Sequence, residues 1–276
     1  MGLFLFIGGN VSDITKRNIM KDDFGWEIPV ELVPIPSSGL VYSPESILYQ
    51  KETVKIKAMT AREEDILASQ ALIKDGTVLE HLIRSCVLEE RFPVEDLMMG
   101  DRNAIMIAIR VTGYGPDYPI NVTCQNCGEK NHVNLSLTEI PIKRLGIKPV
   151  EEGTNLFSFK LPVTKKNVVF KFNTIKSEKE RRIKEKSYKT FLTDLINPTI
   201  TSALESSIVQ IDDIKDPTKI KHFVQNMPAY DSRKLRKFMR ENEPGMDMTA
   251  SAKCRFCQHE NKFAIPITAE FFWPST

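Results

Sequence analysis

The chain has 276 residues, 41% hydrophobic and 27% charged, which is the composition of a soluble globular protein with one large domain or two modest ones. Its 38 basic and 36 acidic residues leave a formal net charge of +2, so no strong field favours nucleic acid or acidic lipid as a partner. No stretch approaches the roughly 20 apolar residues of a membrane span, and the N-terminus lacks a basic leader. We therefore expect synthesis in the cytoplasm without a signal peptide.

The beginning of the chain, residues 1–50, is predicted to be an extended segment. Four prolines interrupt any long helix there: Pro29, Pro34, Pro36 and Pro44. Residues 51–117 are then predicted to form a helical unit. Thr60 and Glu63 have the spacing of a capping box, whose helix should run to about Lys74. A later helix of this unit is predicted to bury the side that carries Ile105, Ala108 and Ile109.

Two cysteine pairs of identical spacing follow, and each is flanked by strand-like sequence. Residues 124–131 read CQNCGEKN and residues 254–261 read CRFCQHEN. Two such turns complete a tetrahedral set of four sulfurs, which is typical of a closed, structural zinc site. The predicted ligands are Cys124, Cys127, Cys254 and Cys257. The fifth cysteine, Cys86, lies among apolar residues and is interpreted as a buried thiol.

About 126 residues separate the two pairs, far more than in a compact zinc ribbon. The sequence therefore predicts a ribbon split into residues 118–139 and 249–270, with an inserted mixed β and helical subdomain at 140–248. In the insertion, 156–175 alternates like β structure and 177–243 is predicted to be helical. Asp231 is the predicted cap of the last helix. The fold class is α+β: a helical N-terminal unit followed by the split zinc ribbon and its insertion.

Other interpretations of the cysteines stay open. Either pair can be a redox pair, although neither begins the helix of a βαβ unit. Each pair can also bind its own metal ion with His132 or His259, or all four thiols can be free.

Motifs of common enzyme classes are missing from the sequence, including a phosphate loop and the zinc-protease and nucleophile-elbow patterns. We therefore expect no enzymatic activity and no small-molecule substrate. The segments 215–221 and 233–240 are basic, which leaves a zinc-ribbon nucleic-acid-binding regulator as the alternative function. Against it stand the near-neutral charge and the apolar spacing of the nearby aromatics.

Several segments resemble the baseplate hub protein family of T-even-like phages. The resemblance is carried by residues 36–39 (PSSG), 59–67 (MTAREEDIL), 71–77 (ALIKDGT), 100–104 (GDRNA), 110–115 (RVTGYG), 231–237 (DSRKLRK), 271–274 (FFWP) and both cysteine pairs. It implies a virion assembly protein that is a hub component or a hub-assembly factor. It also implies binding to other baseplate and tail proteins, either alone or as several copies around the tail axis. Such a protein would assemble in the host cytoplasm and, if retained, stay in the tail baseplate.

Two groups of residues are candidate partner surfaces. The aromatic tail 271–276 carries Phe271, Phe272 and Trp273, which can anchor a partner or fold back onto the chain's own core. In the family motif, Arg62, Asp101 and Arg102 can form either a buried ion-pair network or a partner surface.

Overall fold

The structure is a computed structural model that describes residues 18–21, 25–189 and 199–273. These residues form eight α-helices and five small antiparallel sheets, which confirms the mixed class of fold that the sequence predicts. Parts of the predicted N-terminal segment (1–17 and 22–24), of the predicted helical segment 177–243 (190–198) and of the aromatic tail (274–276) lie outside the described residues. Within the described chain, no helix has the length and apolar character needed to cross a membrane.

The elements follow one another along the chain with these bounds. The helices are α1 Ala61–Ala68, α2 Gln70–Asp75, α3 Val78–Cys86, α4 Met99–Tyr114, α5 Ile175–Lys189, α6 Thr199–Ser207, α7 Pro217–Asn226 and α8 Ala229–Asn242. The strands are β1 Asn18–Lys21, β2 Glu27–Pro34, β3 Thr53–Lys57, β4 Asp117–Thr123, β5 Lys130–Ser136, β6 Ile142–Lys143, β7 Phe157–Lys160, β8 Asn167–Phe170, β9 Ile208–Ile211, β10 Gly245–Met246, β11 Thr249–Lys253 and β12 Glu260–Ala264. They pair as β1-β2-β3, β4-β5, β6-β10, β7-β8-β9 and β11-β12.

Helix α4 is the centre of the core, because it contacts β2, β3, α3 and β10. A helix covered on several sides is apolar around most of its circumference, and the predicted inward residues Ile105, Ala108 and Ile109 are all buried. One cluster of buried hydrophobic residues runs from Val33 in β2 to Phe272 near the C-terminus. The N-terminal and C-terminal thirds of the chain therefore share a core.

The predicted cap at Thr60 forms, but the helix that follows is shorter than expected. The Glu63 carboxylate accepts a hydrogen bond from the Thr60 amide at 2.8 Å, and this capping box marks the start of α1. Ser69 then adopts extended backbone, with ψ of 106°, and its hydroxyl accepts from the Leu72 amide to begin α2. The single helix predicted to run to Lys74 is therefore two helices, because Ser69 caps a new one.

The segment after residue 177 is not entirely helical. Residues 208–211 (IVQI) form β9, which pairs with β8 of the predicted 156–175 hairpin. Asp231 does not cap α8, which starts two residues earlier after Pro228. Its buried carboxylate instead accepts from the amides of Val163 and Thr164 at 2.8 and 2.9 Å, which fixes the loop between β7 and β8 to α8.

Candidate metal centre

Two similar hairpins carry the four predicted ligands. Strands β4 and β5 pair as far as Thr123 and Lys130, and β11 and β12 pair as far as Lys253 and Glu260. Each hairpin therefore ends in a six-residue loop that begins with the first cysteine of a pair. We call residues 124–129 and 254–259 the first and second knuckles.

Backbone hydrogen bonds shape each knuckle into the same tight turn. In the first knuckle, the Cys124 amide donates to the Glu129 carbonyl at 2.9 Å and the Gly128 amide donates to the Cys124 carbonyl at 3.0 Å. The second knuckle repeats both bonds at the same lengths. The turn requires positive φ at its fifth residue, where Gly128 has 77° and Gln258 has 60°. Glycine adopts positive φ readily because it has no Cβ atom, whereas the same conformation is less favourable for the glutamine of the second knuckle.

The four sulfurs meet between the knuckles. Cys124 Sγ lies 3.6 Å from Cys257 Sγ, and Cys127 Sγ lies 3.6 Å from Cys254 Sγ. All four sulfurs lie within 4.8 Å of one another. A tetrahedral ion with sulfur ligands at about 2.3 Å requires separations of about 3.8 Å between sulfurs. The donor set therefore fits one metal ion shared by both pairs, as the sequence predicts.

The turns also favour the thiolate form that a metal ion needs. The Cys127 amide lowers the pKa of the Cys124 thiol to about 6, against the opposing effect of burial. In the second knuckle, the Cys257 amide lowers the pKa of Cys254 in the same way. For Cys127 the Glu129 amide also acts to lower the pKa, but burial and hydrogen bonds with the three neighbouring cysteine sulfurs raise it to about 12.

Two asparagines outside the knuckles complete the site, and Asn131 is the first. It follows Cys124 by seven residues, yet its side chain reaches the second knuckle. Its Oδ1 accepts from the Arg255 amide at 2.8 Å, and its Nδ2 donates to Cys254 Sγ at 3.5 Å. Nδ2 also donates to the Glu129 carbonyl at 3.1 Å, so one amide group connects both knuckles.

Asn261 follows the second knuckle, and its side chain reaches back to the first. Its Oδ1 accepts from the Gln125 amide at 2.9 Å, and its Nδ2 donates to Cys124 Sγ at 3.5 Å and to the His259 carbonyl at 3.2 Å. Both asparagines are buried. Their role was not predicted from the sequence, although both segments have the pattern CxxCxxxN and end in this asparagine.

The histidine alternative has no support in this geometry. His132 and His259 are exposed, and neither belongs to the four-cysteine group, which is the one cluster of three or more candidate ligands in the described chain. Cys86 is fully buried, as predicted, and burial raises its pKa to about 12, so it is an unreactive packing residue.

The predicted aromatic partner surface is corrected by the structure. Phe271 and Phe272 are 1% and 0% exposed, so they belong to this chain's own core. The Phe271 ring packs against Tyr118 at 5.0 Å, and its carbonyl accepts from Arg110 Nε at 3.2 Å. Trp273 remains 41% exposed.

The three charged residues of the family motif lie in different surroundings. Arg62 is exposed on α1, and Arg102 is half-buried on α4. Asp101 is fully buried, where it accepts from the amide and hydroxyl of Ser37 at 2.9 and 2.6 Å and from the Tyr42 hydroxyl at 2.5 Å. No ion pair joins these three residues to one another in the described chain, and the hydrogen-bond partners of Asp101 are the uncharged Ser37 and Tyr42.

Comparison with known proteins identifies the family. Residues 41–273 match the family described as T4 bacteriophage base plate protein, and this match spans both knuckles, the α4 core and Trp273. No curated protein and no solved structure matches the chain. The chain belongs to the T4 bacteriophage base plate protein family.

Proposed function

We propose that this protein is a hub component or a hub-assembly factor of a contractile-tail baseplate. The observation that carries the proposal is the family match over residues 41–273. The protein acts by binding other baseplate and tail proteins, as a single copy or as several copies around the tail axis. It is assembled in the host cytoplasm, and catalysis is not part of its role.

The metal in this proposal is zinc, and its role is structural. Four cysteine thiolates in a tetrahedral arrangement suit zinc and leave no open position for a substrate. The two hairpins are then the halves of a split zinc ribbon, at residues 118–139 and 249–270. The ion joins the two ends of the 140–248 insertion, which holds this region in one position relative to the helical unit at 51–117.

Deleting the gene from the phage that carries it tests the role in assembly. We expect lysates with tail fibres or heads but without complete baseplates by electron microscopy, and rescue by the protein supplied from a plasmid. Normal infectious particles from the deletion phage would refute the proposed function.

Native mass spectrometry tests the metal. We expect one zinc ion per purified chain, lost together with folding stability in Cys254→Ser. The matched control is Cys86→Ala, which removes a thiol far from the knuckles in sequence and should keep the zinc. Two ions per chain, or an ion that survives Cys254→Ser, would show that the pairs act separately.

A further inference from the structure

Helix α8 buries one face and exposes a row of cations on the other. Leu235 is fully buried, and the Phe238 ring packs 4.6 Å from Phe159. The exposed side carries five cations within eight residues, and we call this set the α8 basic face: Arg233, Lys234, Arg236, Lys237 and Arg240.

Little within the chain neutralises this charge. Lys237 lies 3.5 Å from Glu241, an exposed pair of the kind that contributes little stability. Lys234 Nζ lies 5.3 Å from the centre of the Tyr230 ring. Among the described residues, the guanidinium groups of Arg233, Arg236 and Arg240 have no hydrogen-bond or ion-pair partner.

The surroundings of the helix add both positive charge and apolar surface. Burial acts to raise the pKa of Asp231, but its hydrogen bonds with Thr164 and Val163 lower it, and the nearby charge of Lys165 adds to that effect. Lys143 donates to the carbonyl of Arg240, so cations flank both ends of α8. Two apolar side chains are exposed at the N-terminal end of α8: Val163 at 53% and Tyr230 at 54%. The Val163 amide donates to the carboxylate of Asp231, which joins the β7–β8 loop to this end of the helix.

We propose that the α8 basic face binds an acidic surface of another protein of the baseplate. The chain as a whole is nearly neutral, with 38 basic and 36 acidic residues. Five clustered cations, of which Lys237 alone has an ion-pair partner among the described residues, therefore produce a local field that suits an anionic partner. Arginine and tyrosine, which α8 exposes at Arg233 and Tyr230, are also enriched at the centres of protein–protein contacts.

Nucleic acid is the competing partner, and the observations favour it less. Domains that bind nucleic acid through such a face typically have an isoelectric point above about 9, whereas this chain has 8.2. Tyr230 is also the one exposed aromatic ring on α8, whereas proteins that bind single strands typically stack successive bases on several rings.

Charge reversal in the phage tests the proposal. In Arg233→Glu/Arg236→Glu we expect plating efficiency to fall at least 100-fold, with baseplates missing by electron microscopy, while Arg233→Lys/Arg236→Lys stays near wild type. The matched control is Lys176→Glu/Lys219→Glu, which reverses two exposed cations on α5 and α7 and should be harmless. The purified variants are compared for thermal midpoint and metal content to establish that each one folds.

Second-site suppressor mutations of the charge-reversal phage then identify the partner that binds the α8 basic face. We expect changes from Asp or Glu to Lys or Arg in another tail protein. Suppressors confined to acidic residues of this chain would instead identify a second copy and overturn the proposal. Binding of a 30-base-pair duplex at 150 mM salt, abolished by the same reversal, would overturn it in favour of nucleic acid.

A second measurement covers the case in which the reversed variant fails to fold. Assembling tails from infected cells are treated with a carbodiimide, which joins a lysine amine directly to a neighbouring carboxylate. We expect Lys234 or Lys237 of the wild-type chain to be joined to an Asp or Glu of another tail protein. Links to neither lysine would contradict the proposal.

This inference rests on the proposed role in the baseplate, but the two fail differently. Normal assembly without the gene would refute the role itself. Normal assembly by the charge-reversed phage, while the deletion phage is defective, would refute the α8 contact alone.

Discussion

Asn131 and Asn261 make the same hydrogen bonds to each other's cysteine knuckle. Each side-chain oxygen accepts from the amide that follows the opposite knuckle's first cysteine, and each nitrogen donates to that cysteine's sulfur. The two knuckles are therefore joined by protein hydrogen bonds as well as by the proposed ion. Groups in this position orient the ligands and reduce the charge on the sulfurs.

Replacing Asn131 with alanine should weaken metal binding without removing a ligand. Losing such a supporting hydrogen bond typically lowers metal affinity about 10–100-fold, and Asn131→Ala also leaves the Arg255 amide without its acceptor. Competition with a chromogenic zinc chelator measures this change. Asn261→Ala should have an effect of similar size, because its bonds are equivalent.

The control for this variant is Asn134→Ala on the same strand. Asn134 is exposed, and its side chain makes a 3.4 Å contact with Asp117 rather than with the knuckles. Equal metal affinities for Asn131→Ala and Asn134→Ala would show that the cross-knuckle bonds do not support the site.

Glu63 should make the helical unit sensitive to acid. Burial acts to raise the pKa of its carboxyl, but hydrogen bonds from Ser85, Thr60 and Lys57 outweigh burial and lower the pKa to about 2. Because the folded pKa lies below the unfolded value near 4.5, the unfolded chain binds more protons between these values. The contribution of Glu63 is complete above pH 4.5 and is lost as the pH falls towards 2.

Glu63→Gln should therefore cost about 1–3 kcal/mol at neutral pH, because it removes a charged acceptor from buried donors. Urea unfolding at pH 7 and at pH 3 measures the difference, which should shrink at the lower pH. Asp65→Asn, an exposed acid in the same helical turn, should change stability by less than about 0.5 kcal/mol. A Glu63 variant with an undiminished deficit at pH 3 would contradict the assigned pKa.

The clustering of the four cysteines could be predicted from sequence because the signal is local. A CxxC turn fixes the positions of both of its sulfurs by its own backbone hydrogen bonds, and two matching turns in one chain are typical of a shared site. The apolar face of α4 was predictable for a similar reason, since helical spacing places Ile105, Ala108 and Ile109 on one side.

The elements that sequence reasoning missed depend on distant contacts. The segment 208–211 is a strand because its backbone pairs with the edge of β8. The sequence on both sides is helical, so the segment itself was predicted to be helical. Asp231 had the position of a helix cap, but the loop at Val163 and Thr164 provides buried amides that need an acceptor. No local pattern indicates such a partner 67 residues away.

Arg110 should hold the C-terminal aromatic residues in the core. Its guanidinium donates to the carbonyls of Phe271, Gly115 and Asp117 at 3.2, 2.9 and 3.2 Å. Lysine has a single ammonium group and cannot span three carbonyls in this arrangement. Arg110→Lys should therefore cost about 1–3 kcal/mol, and amide hydrogen exchange at Phe271 and Phe272 should become faster.

Exchange measured by mass spectrometry should localise that effect to the C-terminal peptide. Arg84→Lys is the matched control, because Arg84 is an exposed arginine whose partner is the exposed Glu95. Faster exchange at the C-terminus in both variants, or in neither, would remove Arg110 as the cause.

Gly100 should be among the least replaceable residues of the family motif. A Cβ atom at this position would lie 1.9 Å from the Pro244 carbonyl oxygen, and that oxygen belongs to backbone packed against α4. Removing this clash would require separating β10 from the helix, so Gly100→Ala should lower the free energy of unfolding in urea by about 3 kcal/mol or more.

Gly113→Ala is the control in the same helix: its Cβ meets only the flexible Met59 side chain, and alanine favours the helix. Because Met59 can move aside, Gly113→Ala should stay within about 1 kcal/mol of wild type, and equal losses in both variants would contradict the close approach of α4 and β10.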